Sequence, residues 1–185
     1  MTAQRQLPVT ERWAQFGPRK KSWLINVPVG GVCLSTFIVA KSGDAILLGL
    51  PRSGVEWAEQ GGERLSGAEE LERSNTWILP ATHLLLGETP DDASIRIARD
   101  FTGLKGIPEF AMIQSHTRPA KLWFKHVGNA VHWDLCFVYK LKIRGVPKKL
   151  LPWWKEMRLF DRVELRTLKI GRGHRDILKE GGYLR

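Results

Sequence analysis

Histidine and carboxylate side chains in separate segments are the first candidates for chemistry in this chain: His83, Asp100, His132 and Asp134. His132 and Asp134 alternate within one apolar run, so in a strand they share a face, and a charge inside such a run is unusual. If that strand and the loop containing His83 converge on one pocket, these residues form a polar ligand-binding site or, with Asp100, a metal site. The competing interpretation makes Asp134 a structural acceptor of hydrogen bonds from an arginine or from backbone amides.

Covalent catalysis has little support in the sequence. No serine or cysteine has the glycine-flanked turn of a hydrolase nucleophile. Cys33 and Cys136 both lie in apolar, strand-like runs. We therefore predict two buried thiols rather than a disulfide, a metal pair or a nucleophile.

One polar segment has the signals of a capped helix. Thr89 is a good N-cap, and Pro90 suits the first helical position. Thr89 with Asp92 approximates a capping box, although aspartate is shorter than the usual glutamate. Gly103 supplies a left-handed stop, so we predict a helix over residues 90–102.

The same helix is expected to pack through one stripe. At about 100° per residue, Ile97 and Phe101 lie on the same face, which should be buried. Arg96 lies next to this stripe and can reach back to Glu88, forming an ion pair that pins the preceding loop to the helix. Asp91 stands in the first turn, where the helix dipole favours negative charge.

Short apolar, β-branched runs predict a sheet around this helix. We predict strands over residues 32–40, 45–50, 76–79, 108–117 and 130–143, the first two as a hairpin. A helical turn is predicted within residues 152–160. A final helix is predicted within residues 171–184, where Asp176 or the preceding loop caps the start and His174 faces the pocket. This order predicts an α/β domain with a layered sheet.

The length of 185 residues fits one domain. We predict a polar N-terminal arm over residues 1–21 and a single domain over residues 22–185, with an acidic insertion at about 51–75. The start of the chain has no apolar signal core, and no later run reaches the length of a membrane span. We therefore expect a cytoplasmic protein without a membrane partner.

The net charge of +10 is unevenly placed along the chain. From Phe101 onward there are 18 Lys or Arg residues and 7 Asp or Glu residues. Such a field concentrates anions, whether phosphorylated small molecules, nucleic acid or acidic lipid headgroups. Within this half, Trp153 and Trp154 lie among bases, and such a pair can stack on nucleotides, form a dimer contact or belong to the core.

The spacing of the polar segment resembles the Nudix box, the motif of a family that cleaves nucleoside diphosphates linked to another group. The first glycine of the motif falls on Thr82, its first glutamate on Glu88, its arginine on Arg96, its final glycine on Gly103 and its last apolar position on Leu104. The resemblance covers roughly residues 30–145. It implies an α/β/α sandwich around a mixed β-sheet.

The motif's metal-binding glutamates fall on Ile97, Asp100 and Phe101. In the family these glutamates hold Mg²⁺ or Mn²⁺ and orient the attacking water. Isoleucine and phenylalanine cannot ligate a hard divalent cation, and Asp100 alone would hold it poorly. The resemblance therefore implies the fold together with a hydrolytic activity that is lost or weak.

Three hypotheses follow. The leading one is a degenerate Nudix-fold protein that binds a nucleotide or another phosphorylated anionic ligand. The second is an active Nudix-like hydrolase with a relocated Mg²⁺ or Mn²⁺ site, built from Asp100, Asp134 and a histidine or an insertion glutamate between Glu56 and Glu72. The third, which is not favoured, is a nucleic-acid or protein-binding scaffold, and a homodimer is compatible with each. The residues proposed to bind the ligand are His83, Arg96, Asp100, His132 and Asp134.

Overall fold

A mixed six-stranded sheet forms the centre of the part of the chain that the computed structural model describes, residues 32–52, 75–119 and 131–184. The predicted polar arm and most of the predicted acidic insertion lie outside the described residues. The strands are β1 (Val32–Ser42), β2 (Ala45–Pro51), β3 (Ala81–His83), β4 (Glu109–Pro119), β5 (Val131–Lys142) and β6 (Trp154–Phe160).

The strand order is β4-β5-β1-β2-β6, with β3 also paired to β1. β1 and β2 form the predicted hairpin, in which Ser42 pairs with Ala45. β1 and β5 are parallel, whereas β4 is antiparallel to β5 and β6 is antiparallel to β2. The continuous run of buried residues in β1 is typical of a central strand covered on both faces.

Helices cover both faces of the sheet, and alternation along β1 separates two cores. Ile38 and Ala40 belong to the core beneath α1 (Pro90–Arg96) and the π-helical segment (Ile97–Phe101) that continues it. Phe37 and Val39 belong to the core on the opposite face. That core is covered by α2 (Arg162–Thr167) and α3 (Arg172–Glu180). The predicted α/β/α sandwich is confirmed.

The predicted helix over 90–102 is present, but its last turn is wider than an α-helix. Thr89 is the N-cap, and its Oγ1 accepts the backbone N–H of Asp92 at 3.1 Å. The short Asp92 side chain bonds the Thr89 hydroxyl at 2.6 Å, which replaces the backbone bond that a glutamate makes in a capping box. Gly103 ends the helix with a φ of 72°, as predicted.

One prediction for the C-terminal half is wrong. Residues 154–160 form strand β6 instead of a helical turn. A register shift opposite Leu50 and Pro51 of β2 places Trp154 and Met157 in the same core, beneath α1. Phe160 is buried in the core on the opposite face, so buried residues stand three apart in a strand. Of the two caps predicted for the final helix, the preceding loop is the one observed: the N-cap of α3 is Gly171, without a side-chain hydrogen bond, and Asp176 lies inside the helix. Among the described residues, no helix is long and apolar enough to cross a bilayer.

The short strand predicted over residues 76–79 is reduced to two isolated bridges. Trp77 pairs with Ile170, and Ile78 pairs with Gly49. The regular strand of this region is β3, which begins at Ala81 and leads into the loop before α1.

Candidate functional site

An ion pair joins the loop before α1 to the helix itself. Arg96 Nε donates to Glu88 Oε1 at 2.6 Å, and Arg96 Nη2 donates to Glu88 Oε2 at 2.7 Å. The same Nη2 also donates to the carbonyl of His83 at 3.1 Å, while the Leu85 N–H donates to Glu88 Oε2 at 2.9 Å. The predicted ion pair is confirmed. Because both oxygens of Glu88 accept hydrogen bonds, this carboxylate is committed to shaping the loop.

Two of the three positions that hold the metal-binding glutamates of the Nudix box belong to the core. Ile97 is 0% exposed and Phe101 is 3% exposed, and both pack beneath the helix with Ile38 and Leu141. Side chains at these positions point at the sheet and have no route to solvent. A divalent cation could not keep its water ligands there.

Trp153 and Trp154 bind the end of the π-helical segment. Both indole Nε1 atoms donate to the carbonyl oxygen of Phe101, each at 2.7 Å. The Phe101 ring stacks on Trp153 at 5.8 Å between centroids and meets Trp154 edge to face at 5.0 Å. Trp154 is fully buried and Trp153 packs against the same core. The core interpretation of this pair is therefore the one that the structure supports.

Asp100 is the one carboxylate left at the three metal-binding positions, and it pairs with its neighbour Arg99. Arg99 Nε lies 2.6 Å from Asp100 Oδ1, and Nη2 lies 2.8 Å from Oδ2. The hydrogen bond from Arg99 holds the pKa of Asp100 below its usual value, against a smaller opposite effect of burial. The carboxylate is thus ionised at neutral pH, and a guanidinium already occupies both of its oxygens.

One polar contact of the helix was missed by sequence reasoning. The Tyr139 hydroxyl, on β5, donates a hydrogen bond to Asp91 Oδ1 in the first turn of α1. Burial raises the pKa of Tyr139, and the bond to Asp91 raises it further. The bond ties the start of the helix to the sheet. Its only signal in the sequence is a tyrosine on the apolar face of a long strand, which needs a partner when it is buried.

His83 and Asp134 lie on the other face of the sheet from Asp100. His83 pairs with Ser35 of β1, and Asp134 pairs with Cys33. Directly paired residues share a face of the sheet. On β1 the face of Cys33 and Ser35 also carries Phe37 and Val39, which belong to the core beneath α2 and α3. The structure therefore does not bring Asp100 together with His83 or Asp134. His132 pairs with Arg118 through the backbone, on the same strand as Asp134.

Other polar groups share the face of the sheet where His83 lies. The Gln114 side chain, on β4, donates to Glu180 of α3. His174 Nδ1 accepts the N–H of Leu79 at 3.1 Å, so this histidine supports the backbone of the strand region. Within the described residues, no group of three His, Cys, Asp or Glu side chains is placed to hold a metal ion.

The two cysteines are buried and are not joined in a disulfide, as predicted. Cys33 Sγ lies 3.3 Å from the Ser35 hydroxyl, two residues along β1. Cys136 packs in the core beneath α2 and α3. Both thiols therefore act as small core side chains.

Comparisons with known proteins give a consistent fold. No family model matches the sequence, and no curated protein matches it either. Among solved structures, the MutT protein from Methanosarcina mazei Go1 is similar with 15% identity and a TM-score of 0.55, covering 84% of this chain and 94% of that one.

Two further solved structures agree with this similarity. A MutT NUDIX hydrolase from Burkholderia pseudomallei has 14% identity and a TM-score of 0.54, covering 80% of this chain and 96% of that one. The E. coli dihydroneopterin triphosphate pyrophosphohydrolase has 11% identity and a TM-score of 0.53, covering 83% of this chain and 95% of that one. At these identities the similarity establishes architecture, and it agrees with the spacing of the box. The chain has the Nudix fold.

Proposed function

We propose that this protein is a Nudix-fold protein that binds a phosphorylated ligand, a nucleotide or a related anion, and that it lacks the usual metal-dependent hydrolysis. The observation that supports the loss of hydrolysis is the burial of Ile97 and Phe101 at two of the metal-ligand positions of the box. These side chains are part of the core that holds the helix on the sheet.

The remaining carboxylates of the box do not replace what these two positions have lost. Glu88 accepts hydrogen bonds on both oxygens from Arg96 and the loop backbone. Asp100 is held by Arg99. A cation would have to displace a guanidinium from one of them, and a single carboxylate is a poor site for Mg²⁺. The carboxylates of the box that remain among the described residues therefore do not fit the Mg²⁺ or Mn²⁺ ion that the family binds.

Ligand binding is supported by the fold and by charge. One solved structure of the same fold is named as an enzyme acting on a triphosphate. The chain has a net charge of +10, which favours anionic ligands. We propose that His83, Asp134 and His132, close to one end of β1 and β5, contribute to this binding. Arg96 and Asp100 contribute less to ligand binding, because each is already in an ion pair.

Calorimetric titration with Mn²⁺ tests the loss of the metal site. We expect no saturable binding to the wild-type protein at millimolar Mn²⁺. The matched variant Arg99→Gln frees Asp100 from its partner, and we expect at most weak binding to it, since one carboxylate remains. Saturable Mn²⁺ binding to the wild type that Asp100→Ala abolishes would contradict the proposal. The hypothesis of a relocated metal site would then be favoured.

Turnover and ligand binding need separate measurements. A panel of nucleoside diphosphate derivatives should show no product above background with Mg²⁺ or Mn²⁺. The same panel, screened by thermal shift, should contain at least one compound that raises the midpoint of unfolding. His83→Ala and Asp134→Asn should weaken that effect, whereas the exposed control Ile95→Ala should not. A panel without any stabilising compound would refute the ligand-binding part alone.

A further inference from the structure

We propose that a basic surface at the end of the box helix docks the protein onto an anionic phospholipid bilayer. This surface, called here the basic loop surface, consists of residues 102–108 after the helix and residues 142–150, which begin at the last residue of β5. Its cations are Lys105, Lys142, Arg144, Lys148 and Lys149, all of them exposed.

The two segments lie against each other. A β-carbon placed on Gly103 would stand 4.0 Å from the carbonyl oxygen of Lys149. One placed on Gly106 would stand 4.0 Å from the carbonyl oxygen of Lys142. The indoles of Trp153 and Trp154 hold the end of the second segment to Phe101. The cations therefore belong to one continuous surface rather than to two separate loops.

The cations of this surface differ from the arginines that acidic side chains neutralise. Arg96, Arg99 and Arg158 each pair with an acidic side chain. In contrast, none of the five cations is in an ion pair within the described residues. No aspartate or glutamate occurs in either segment. An uncompensated positive surface of this kind attracts a polyanion.

Exposed aliphatic side chains select the bilayer among polyanions. Ile107 is 82% exposed, Val146 is 46% exposed and Leu150 is 37% exposed, and all three belong to the same two segments as the cations. A surface that binds single-stranded nucleic acid stacks bases on exposed aromatic rings, and neither segment of this surface contains an aromatic residue. The exposed ring of Phe110, two residues beyond the first segment, lies edge to face against Tyr139. Cations interspersed with exposed aliphatic groups are typical of peripheral membrane surfaces.

Peripheral docking is compatible with the lack of a spanning helix among the described residues. The expectation of no membrane partner depends on the absence of a long apolar run. Docking by headgroup attraction needs none. Each cation near an anionic leaflet strengthens binding by about fivefold at physiological salt, so five cations and three aliphatic groups are enough for measurable, reversible association.

Sedimentation with vesicles tests the proposal on the full chain. We expect binding to vesicles of phosphatidylcholine with 30% phosphatidylserine, none to phosphatidylcholine alone, and weaker binding as salt is raised. The triple variant Arg144→Gln, Lys148→Gln, Lys149→Gln should lose on the order of a hundredfold in partitioning. The matched control Arg162→Gln, Lys169→Gln, Lys179→Gln removes the same charge from the α2 and α3 region and should lose far less.

Further outcomes distinguish the bilayer from other partners. Ile107→Ser should reduce partitioning of the protein onto the anionic vesicles while leaving the salt dependence of binding unchanged. An unaltered affinity of this variant for the vesicles would contradict docking onto a bilayer. Equal losses in the two triple variants would overturn the proposal, because binding would then follow net charge alone. Tighter binding of a 20-nucleotide single strand than of the anionic vesicles, lost in the first triple variant, would assign the surface to nucleic acid instead. The substituted side chains are exposed, so thermal unfolding should be unchanged in every variant.

Discussion

Replacing Ile97 by glutamate puts back the residue that the Nudix box has at this position, and it tests whether the position still accepts a charge. Ile97 is 0% exposed and packs on the sheet beneath the helix. Its neighbour Ile95, two residues earlier on α1, is 42% exposed. Ile95→Glu is therefore a matched control with the same chemical change on the same helix.

The expected cost is the sum of two terms. Losing the packing of a buried isoleucine costs about 2–5 kcal/mol. An ionised carboxylate without a partner in this core adds several kcal/mol more, unless it takes up a proton. A domain of this size has roughly 5–15 kcal/mol of stability, so Ile97→Glu should lose most of its stability at neutral pH. Ile95→Glu should change the free energy of unfolding by less than about 0.5 kcal/mol.

The pH dependence separates the charge from the packing. Burial raises the pKa of the new carboxyl in the folded state above the unfolded value of about 4.3. Below that value the carboxyl is neutral in both states, and only the packing loss remains. As the pH rises above it, the penalty grows by about 1.4 kcal/mol per pH unit until the folded-state pKa is passed. The variant should therefore be more stable at pH 4.5 than at pH 7.

Urea denaturation followed by tryptophan fluorescence measures all three proteins at both pH values. The reasoning is refuted if Ile97→Glu unfolds within about 1 kcal/mol of the wild type at pH 7. It is also refuted if millimolar Mn²⁺ raises the urea midpoint of Ile97→Glu but not that of Ile95→Glu. Either result would mean that position 97 faces a wet, metal-competent site.

The remaining predictions concern the ends of the box helix. Glu88→Gln should lower the free energy of unfolding in urea by about 1–2 kcal/mol, because it removes the charge from both hydrogen bonds with Arg96; a change near zero would mean that the pair does not hold the loop. Gly103→Ala should cost about 1–2 kcal/mol through its φ of 72° alone, whereas Gly145→Ala, in open space without a positive φ, should cost nothing. The ionised Asp100 carboxylate, paired with Arg99, should stabilise the folded state fully above the usual pKa of 3.8, and this stabilisation should be lost as the pH falls through the lowered pKa of the folded state. An Asp100→Asn variant whose acid unfolding transition matches that of the wild type would contradict this.

Local signals predicted much of the fold. The cap at Thr89, the stop at Gly103 and the pair of Glu88 with Arg96 depend on neighbours close in sequence, so the residue types and spacing were sufficient. The prediction of a helical turn at β6 was wrong because this segment depends on residues distant in sequence. Its burial pattern depends on a register shift in its pairing with β2 and on cores that cover both faces of the sheet, and neither leaves a mark in the segment itself.

The site divides in the same way. The loss of two carboxylates was evident from the residue types at positions 97 and 101. That these side chains have no access to solvent was shown only by their packing on the sheet. The structure does not bring Asp100 and Asp134 into one metal site, because the pairing of β1 with β5 places Asp134 on the opposite face of the sheet from the box helix. Parity depends on how the strands pair, which sequence spacing does not specify.

The sequence by itself determined the spacing of the box, the capped helix and the excess of positive charge, since each depends on residue identity and short-range geometry. Tertiary structure alone decided that two indoles share the carbonyl of Phe101 and that the loop after the box helix lies against the loop after β5. The physical reason is that hydrogen bonds and charges act through distance in space, and the folded sheet sets those distances between segments up to about fifty residues apart.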